Sequence, residues 1–277
     1  MPPTDIERIV AAVAESRRYR HVAPTIVARL AAEELPKSRN AADAEKRTKR
    51  RLHQIFGAYA SPLPYDRLLA RLDDTQGDPA TFKKVCAQIL TQHASTAERL
   101  SDLEGGFYDR IFELTGRPTR VLDLACGFNP LTIPWMGLSP QTFYVAADID
   151  AAMVRFLDRF LALAPVHGEA RLVDLVELTP SSAADVAFLF KALPCLRYQT
   201  PDLLRILDAI QAPWLVISFP TKSLGGRSKS MRETYRKTFE ELLAERPWDR
   251  EELDFPSELV FVVRKEPASL HARVGRV

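Results

Sequence analysis

Along the first hundred residues the apolar positions recur at helical spacing, as in Ile6, Ile9, Val10 and Val13 and then Ile26, Val27 and Leu30. Prolines at 24, 36, 62, 64 and 79 punctuate this half, and Thr4, Ser61 and Asp78 stand where a side-chain oxygen can cap a helix. The pattern predicts several short helices and no strands between Asp5 and Leu103. From Arg120 the period changes to short β-rich runs: RVLDLAC, FYVAADI, ARLVDL, DVAFLFKA, WLVISFP and ELVFVVRK. Amphipathic stretches such as AAMVRFLDRFLALA and PDLLRILDAIQ separate them. Alternation of this kind predicts an α/β fold with a doubly wound, mostly parallel sheet. The last run follows REELDF through Pro256 too closely for a helical crossover, so an antiparallel hairpin should close the sheet. The expected division is an all-α N-terminal domain over residues 1–104 and an α/β domain over 105–277.

A chain of 277 residues is long enough to bury the cores of both. Cys86, Cys126 and Cys195 are too few and too scattered for a disulfide framework, and no pair has zinc-finger spacing, which fits a reducing, cytoplasmic setting. Asp5, Glu7 and Arg8 interrupt the segment where a secretory signal would be apolar. No run of about 18 apolar residues occurs anywhere, so neither secretion nor membrane insertion is expected. The formal charge is only +2, which leaves its distribution more informative than its sum.

The candidate chemistry begins at VLDLACGFNP, residues 121–130, where the first strand of the sheet should turn into a helix. A dinucleotide site uses three glycines there, so that the backbone can approach a pyrophosphate at a helix N-terminus. Here Gly127 stands alone between Asp123 and Pro130. One glycine suffices for the smaller zwitterionic end of S-adenosylmethionine, which carries no phosphate. The second strand ends in AADID, and a carboxylate in the place of Asp148 accepts hydrogen bonds from vicinal ribose hydroxyls. Asp150 next to it is equally suited to cap the following helix. After the third strand, Asp174 can accept from the exocyclic amine of adenine, while Leu175 offers a backbone N–H and an apolar wall.

A parallel sheet closed by an antiparallel strand is also the plan of the Rossmann-like methyltransferases. Three stretches make the likeness narrower: LDLACGFNPLTIPWM (122–136), HASTAERL (93–100) and SFPTKSLGGRSKSM (218–231). Together they closely resemble the aminoglycoside-resistance 16S rRNA methyltransferases that modify N7 of one guanine in the ribosomal decoding site. The resemblance runs over most of the chain and departs from the pattern at Gly226 and Ser230. It implies S-adenosylmethionine as cofactor, the 30S subunit as target, and a monomer. It gives Arg99 the cofactor carboxylate to hold, a task suited to a guanidinium fork, and places Gln199 in the cofactor pocket. His93 is given no role.

Charge distribution supplies the RNA side. KSRNAADAEKRTKRR carries Lys37, Arg39, Lys46, Arg47, Lys49, Arg50 and Arg51 against only Asp43 and Glu45. Such a face binds phosphates without reading sequence. Lys191 and Arg197 after the fourth strand, with Arg227, Lys229 and Arg232 beyond Gly225–Gly226, form a second basic set at the mouth of the site. Arg197, Arg227 and Met231 are expected to position an extruded base. Guanine N7 has a free lone pair and no proton, so direct transfer needs no general base and rests on placement. Three other readings stay open at this stage. They are methylation of N1 of a decoding-site adenine, a covalent cytosine reaction at Cys195 in KALPC, and a non-catalytic RNA-binding protein on the same fold.

Overall fold

The computed structural model describes residues 3–56, 63–75, 77–177, 183–221 and 229–265. Ser61, one of the expected caps, lies outside them. The other two form as anticipated. Thr4 and Glu7 make a reciprocal capping box at the start of α1 (Asp5–Ala14). Asp78 accepts from the Thr81 N–H at 2.8 Å, with Pro79 in the first turn of its helix.

Helices α1, α2 (Pro24–Glu34) and α3 (Ala41–Phe56) bury a core of their own that includes Ile9, Val13, Ile26, Leu30, Leu52 and Ile55. Five more helices follow: α4 (Tyr65–Asp73), α5 (Pro79–Leu90), α6 (Ala94–Ala97), α7 (Leu100–Glu104) and α8 (Phe107–Thr115). Of these, α4, α5, α7 and α8 send Leu68, Phe82, Ile89, Leu103 and Phe107 into the core beneath the sheet. The helical half is therefore shared between two cores, the first three helices standing apart from the rest.

Among the described residues the sheet has seven strands in the order β3-β2-β1-β4-β5-β7-β6. The parallel strands are β1 (Arg120–Leu124), β2 (Phe143–Asp148), β3 (His167–Leu172), β4 (Val186–Phe190) and β5 (Trp214–Pro220). The hairpin of β6 (Asp249–Asp254) and β7 (Glu258–Arg264) closes the far edge, with β7 slipped between β5 and β6 and antiparallel to both. Strand β4 is buried along its whole length and β7 over all but its last residue, the continuous apolar run of a strand covered on two faces. Helices α9 (Ile133–Met136), α10 (Ala151–Leu161), α11 (Leu193–Arg197), α12 (Leu203–Ala209) and α13 (Lys229–Leu242) complete the described elements. Because β1 to β5 run in parallel, their carboxyl ends open together on one edge. The sequence reverses direction there between β1 and β4, the position at which such sheets bind ligands.

Candidate active site

The turn after β1 is built around its single glycine. Gly127 has φ 51°, a left-handed conformation that costs glycine little, and Ala125 takes φ 49° beside it at the lip of the cleft. The turn is tied to β2 by the Cys126 N–H, which donates to the Ala147 carbonyl at 3.0 Å. The Gly127 N–H donates to Asp148 Oδ2 at 2.9 Å. The other oxygen of Asp148 accepts from the Ile149 and Asp150 N–H groups at 2.7 and 3.3 Å. Burial pushes this carboxyl above its ordinary value while the three backbone donors pull against it. Its plane is thereby fixed at the edge of the cleft. Asp150 is the helix cap, accepting from Ala152 and Met153 at the start of α10. Asn129 and Pro130 open a short 3-10 turn that leads into α9.

One wall of the cleft holds Asp174 and Leu175, expected at the adenine end, together with Gln199, expected in the cofactor pocket. The facing wall belongs to the helical half, from which the sequence had offered the cofactor only Arg99. The segment before α2 pairs with the loop after β2: Val22 bridges Asp150, the Ala23 N–H donates to Ile149 at 2.9 Å, and the Ala151 N–H donates to His21 at 2.7 Å. Ile55 and Phe56 from α3 and Tyr65 from α4 also line the cleft. Burial, with Asp150 and Asp148 nearby, raises the Tyr65 phenol far above its usual value, so it stays neutral. The cleft and its open mouth together hold about 1480 Å³ of space between atoms, open solvent included.

At the other end lies a buried polar cluster whose centre the sequence reading missed. Glu258, the first residue of β7, is fully buried. Arg99 places Nε 2.5 Å from its Oε1 and Nη2 2.8 Å from its Oε2, and also donates through Nη1 to Asn129. The guanidinium sits 4.3 Å from the Phe190 ring centroid. Lys191 is 6 % exposed and lies 3.3 Å from Glu258 and 3.7 Å from Glu98. Its φ is 56° and it lines the cleft, buried within it, whereas the sequence grouped it with the RNA-contacting cations at the mouth of the site. Behind the turn, Asp123 accepts from Tyr144 at 2.6 Å and Asn129 at 3.0 Å, and its Oδ1 has no partner among the described residues. Burial raises its pKa to about 7. Arg99 and Lys191 thus face two carboxylates, the enclosed Glu258 and the partly exposed Glu98.

The expected RNA residues divide by environment. Arg47 and Arg51 reach back from α3 to Glu34 at 2.8 and 2.9 Å, and Lys37 lies 3.6 Å from the same carboxylate. Arg51 also donates to the Tyr198 carbonyl at 3.1 Å, so α3 is clasped to the end of α11. Lys49 pairs with Glu45 along its own helix. Arg39, Lys46 and Arg50 are exposed. Among the base-positioning candidates, Arg197 is exposed at the end of α11, two residues from Cys195, which borders the cleft. Met231 is half-buried in the first turn of α13 and does not line the cleft. Arg227 lies outside the described residues.

His93 is 8 % exposed, lines the cleft and stacks on Phe128 with ring centroids 4.9 Å apart. Burial, helped by the charge of Lys191, lowers its pKa to about 4 from 6.5. The unfolded chain therefore takes up a proton near pH 6.5 that the folded one refuses until about 4. The linked stability is complete above pH 6.5 and lost as pH falls toward 4, roughly 3 kcal/mol in all. Urea midpoints measured at pH 7 and 4.5 should fall less for His93→Gln than for the parent. Equal falls would show that His93 is not the titrating group.

Comparison with known proteins agrees with this geometry. A protein of Micromonospora echinospora named 16S rRNA (guanine(1405)-N(7))-methyltransferase is 42 % identical over 270 residues, covering 95 % of this chain and 98 % of its own. One of the same name from Micromonospora rosea is 42 % identical over 266 residues, covering 94 % and 97 %. The crystal structure of 16S rRNA methyltransferase RmtF in complex with S-adenosyl-L-homocysteine superposes with a TM-score of 0.83 at 31 % identity, covering 96 % of this chain and all of that one. With the family pattern for ribosomal RNA methyltransferase (FmrO) matched from residue 15 to residue 262, the chain belongs to that family.

Proposed function

We propose that this protein transfers a methyl group from S-adenosylmethionine to N7 of the 16S rRNA guanine numbered 1405 in the names of its relatives, acting on the 30S subunit. What carries the choice of base is the likeness to those relatives along nearly the whole chain. The cofactor rests on the cleft itself. Asp148, held by three backbone N–H groups, keeps an acceptor turned toward two ribose hydroxyls. Asp174, Leu175 and Gln199 face the adenine, with Gly127 allowing close approach at the turn. Arg99 and Lys191, which both line the cleft, take the amino-acid carboxylate.

When bound, the cofactor supplies a methyl carbon made electrophilic by its sulfonium. The protein has to place the nucleophile in line with that carbon. N7 bears no proton, so no side chain need act as base, and placement supplies the rate. Arg197, exposed at the end of α11, is assigned to the polar edge of the target base, and Arg227 and Met231 are assigned to its seat, which would have to form when RNA binds, since Met231 does not line the cleft by itself. Residues 1–104 contribute docking, with Arg39, Lys46 and Arg50 as the outward cations and Lys37, Arg47, Lys49 and Arg51 beside them. So broad a basic face suits an assembled subunit better than free RNA, and a single copy of the chain suffices for it. No described helix is long and apolar enough to cross a membrane, in keeping with a cytoplasmic target. Resistance to aminoglycosides that read the decoding site is the expected phenotype.

The test is methyl transfer from labelled cofactor to purified 30S subunits and to free 16S rRNA, followed by mapping. Borohydride and aniline treatment should cut the RNA at one guanine of the 30S substrate, and untreated RNA should give no reverse-transcription stop. A direct stop at an adenine would establish N1 methylation instead. Absence of transfer with cofactor bound would leave a binding protein.

A further inference from the structure

Arg29 lies on α2, in the helical half, yet its side chain ends against Asp174 and Gln199, two residues that line the cleft. Its Nε is 3.0 Å from Asp174 Oδ2, and its Nη2 is 3.3 Å from Asp174 Oδ1 and 2.9 Å from Gln199 Oε1. The side chains of Arg29 and Asp174 are 10 % and 6 % exposed, so the contact is largely shut off from water. Glu33 holds the guanidinium from its own helix at 3.4 Å. The Val176 N–H donates to Asp174 Oδ1 at 3.0 Å from the other side.

A guanidinium has five donors and no acceptor. Bonding to Gln199 therefore decides which way that amide faces: its oxygen is spent on Arg29, and its NH₂ is left for the cleft. Bonding to Asp174 fixes the carboxylate plane, with lone pairs to spare on a residue that lines the cleft. The wall thus offers an acceptor at Asp174 and a donor at Gln199. Adenine presents the complementary edge, a 6-amino donor and ring-nitrogen acceptors. Hypoxanthine presents the reverse at position 6, a carbonyl beside a protonated N1.

We infer that Arg29 is a positioning residue that sets this donor–acceptor pattern, so that the helical half helps to read the adenine of the cofactor. The inference rests on the assignment of the cleft to S-adenosylmethionine. Without Arg29 the Gln199 amide is free to flip and the Asp174 carboxylate free to turn, and the wall would then meet either purine.

Calorimetry without RNA tests this, using S-adenosylhomocysteine and its 6-oxo analogue S-inosylhomocysteine. The parent should prefer the adenine ligand by about 100-fold or more, as sites that pair buried polar groups do. Arg29→Met should weaken S-adenosylhomocysteine by about tenfold or more and cut the preference to under about tenfold. Arg29→Lys keeps a charge for Asp174 but loses the fork, so it should fold even where Arg29→Met does not, and should show an intermediate preference. A variant that weakens both ligands equally, leaving their ratio at the parent value, would reduce Arg29 to a structural contact and overturn the inference. Unchanged affinity in both variants would do the same. Failure of the parent to bind S-adenosylhomocysteine would overturn the cofactor assignment, and the inference with it.

Discussion

Replacing Glu258 with alanine is expected to cost about 3 to 5 kcal/mol of folding stability, because it removes a fully buried carboxylate from beside two buried cations. Burial alone would raise this carboxyl, but Arg99 and Lys191 hold it below its ordinary value, so its contribution is present above the usual carboxylate range. It is lost only as pH falls below that range. The Ser218 hydroxyl, 2.6 Å away, would lose its acceptor as well. Chemical denaturation of parent and variant at pH 7 measures the loss. Glu258→Gln, which keeps the shape and drops the charge, should fall between them. A Glu258→Ala protein within about 1 kcal/mol of the parent would mean that water relaxes into the cluster and that the ion pair counts for little.

Asp148→Ala should have the largest effect on ligand binding, at least about 100-fold weaker affinity for S-adenosylhomocysteine by calorimetry, or ~2.7 kcal/mol. Two losses combine. The ribose acceptor disappears, and the Gly127, Ile149 and Asp150 N–H groups lose the oxygen atoms that order the turn. Asp148→Asn separates them, since the amide keeps one acceptor but sets its NH₂ against backbone donors. It should bind more weakly than the parent. Affinity within threefold of the parent for the alanine variant would remove Asp148 from the cofactor site and reopen the reading of the whole cleft.

Much of the sheet was legible because β1, β2, β4, β5 and β7 are local, each a short β-rich run with its own boundaries, whereas β3 (HGEARL) begins three residues before the predicted run ARLVDL and β6 (DREELD) is too polar to read as one. The hairpin was legible too, since Pro256 leaves no room for a crossover. What escaped was pairing over long separations. Glu258 opens an otherwise apolar strand and reads as a solvated end, while its partner Arg99 is 159 positions away. Arg29 reads as one more polar residue on a helix face, 145 positions from Asp174. Lys191 had the charge of an RNA contact, and its burial beside the distant Glu258 could not be read from composition. Asp150 was open to two readings because a strand-end carboxylate preceding a helix satisfies both; the geometry shows it capping α10. In α3 the charges could be counted but not sorted, because Glu33 and Glu34, which claim Arg47 and Arg51, belong to the preceding helix.

The strand-like seam between residues 21–23 and 149–151 also bears on how such enzymes can diversify. A docking module joined by a linker can be exchanged for another without disturbing the catalytic half. Here the segment between the first two helices supplies main-chain partners to the loop that follows β2, so a graft from a relative arrives with its own version of one wall of the cleft. Chimeras with new RNA targets would have to import both sides of the seam together, so that change of target and preservation of cofactor binding become a single inherited problem.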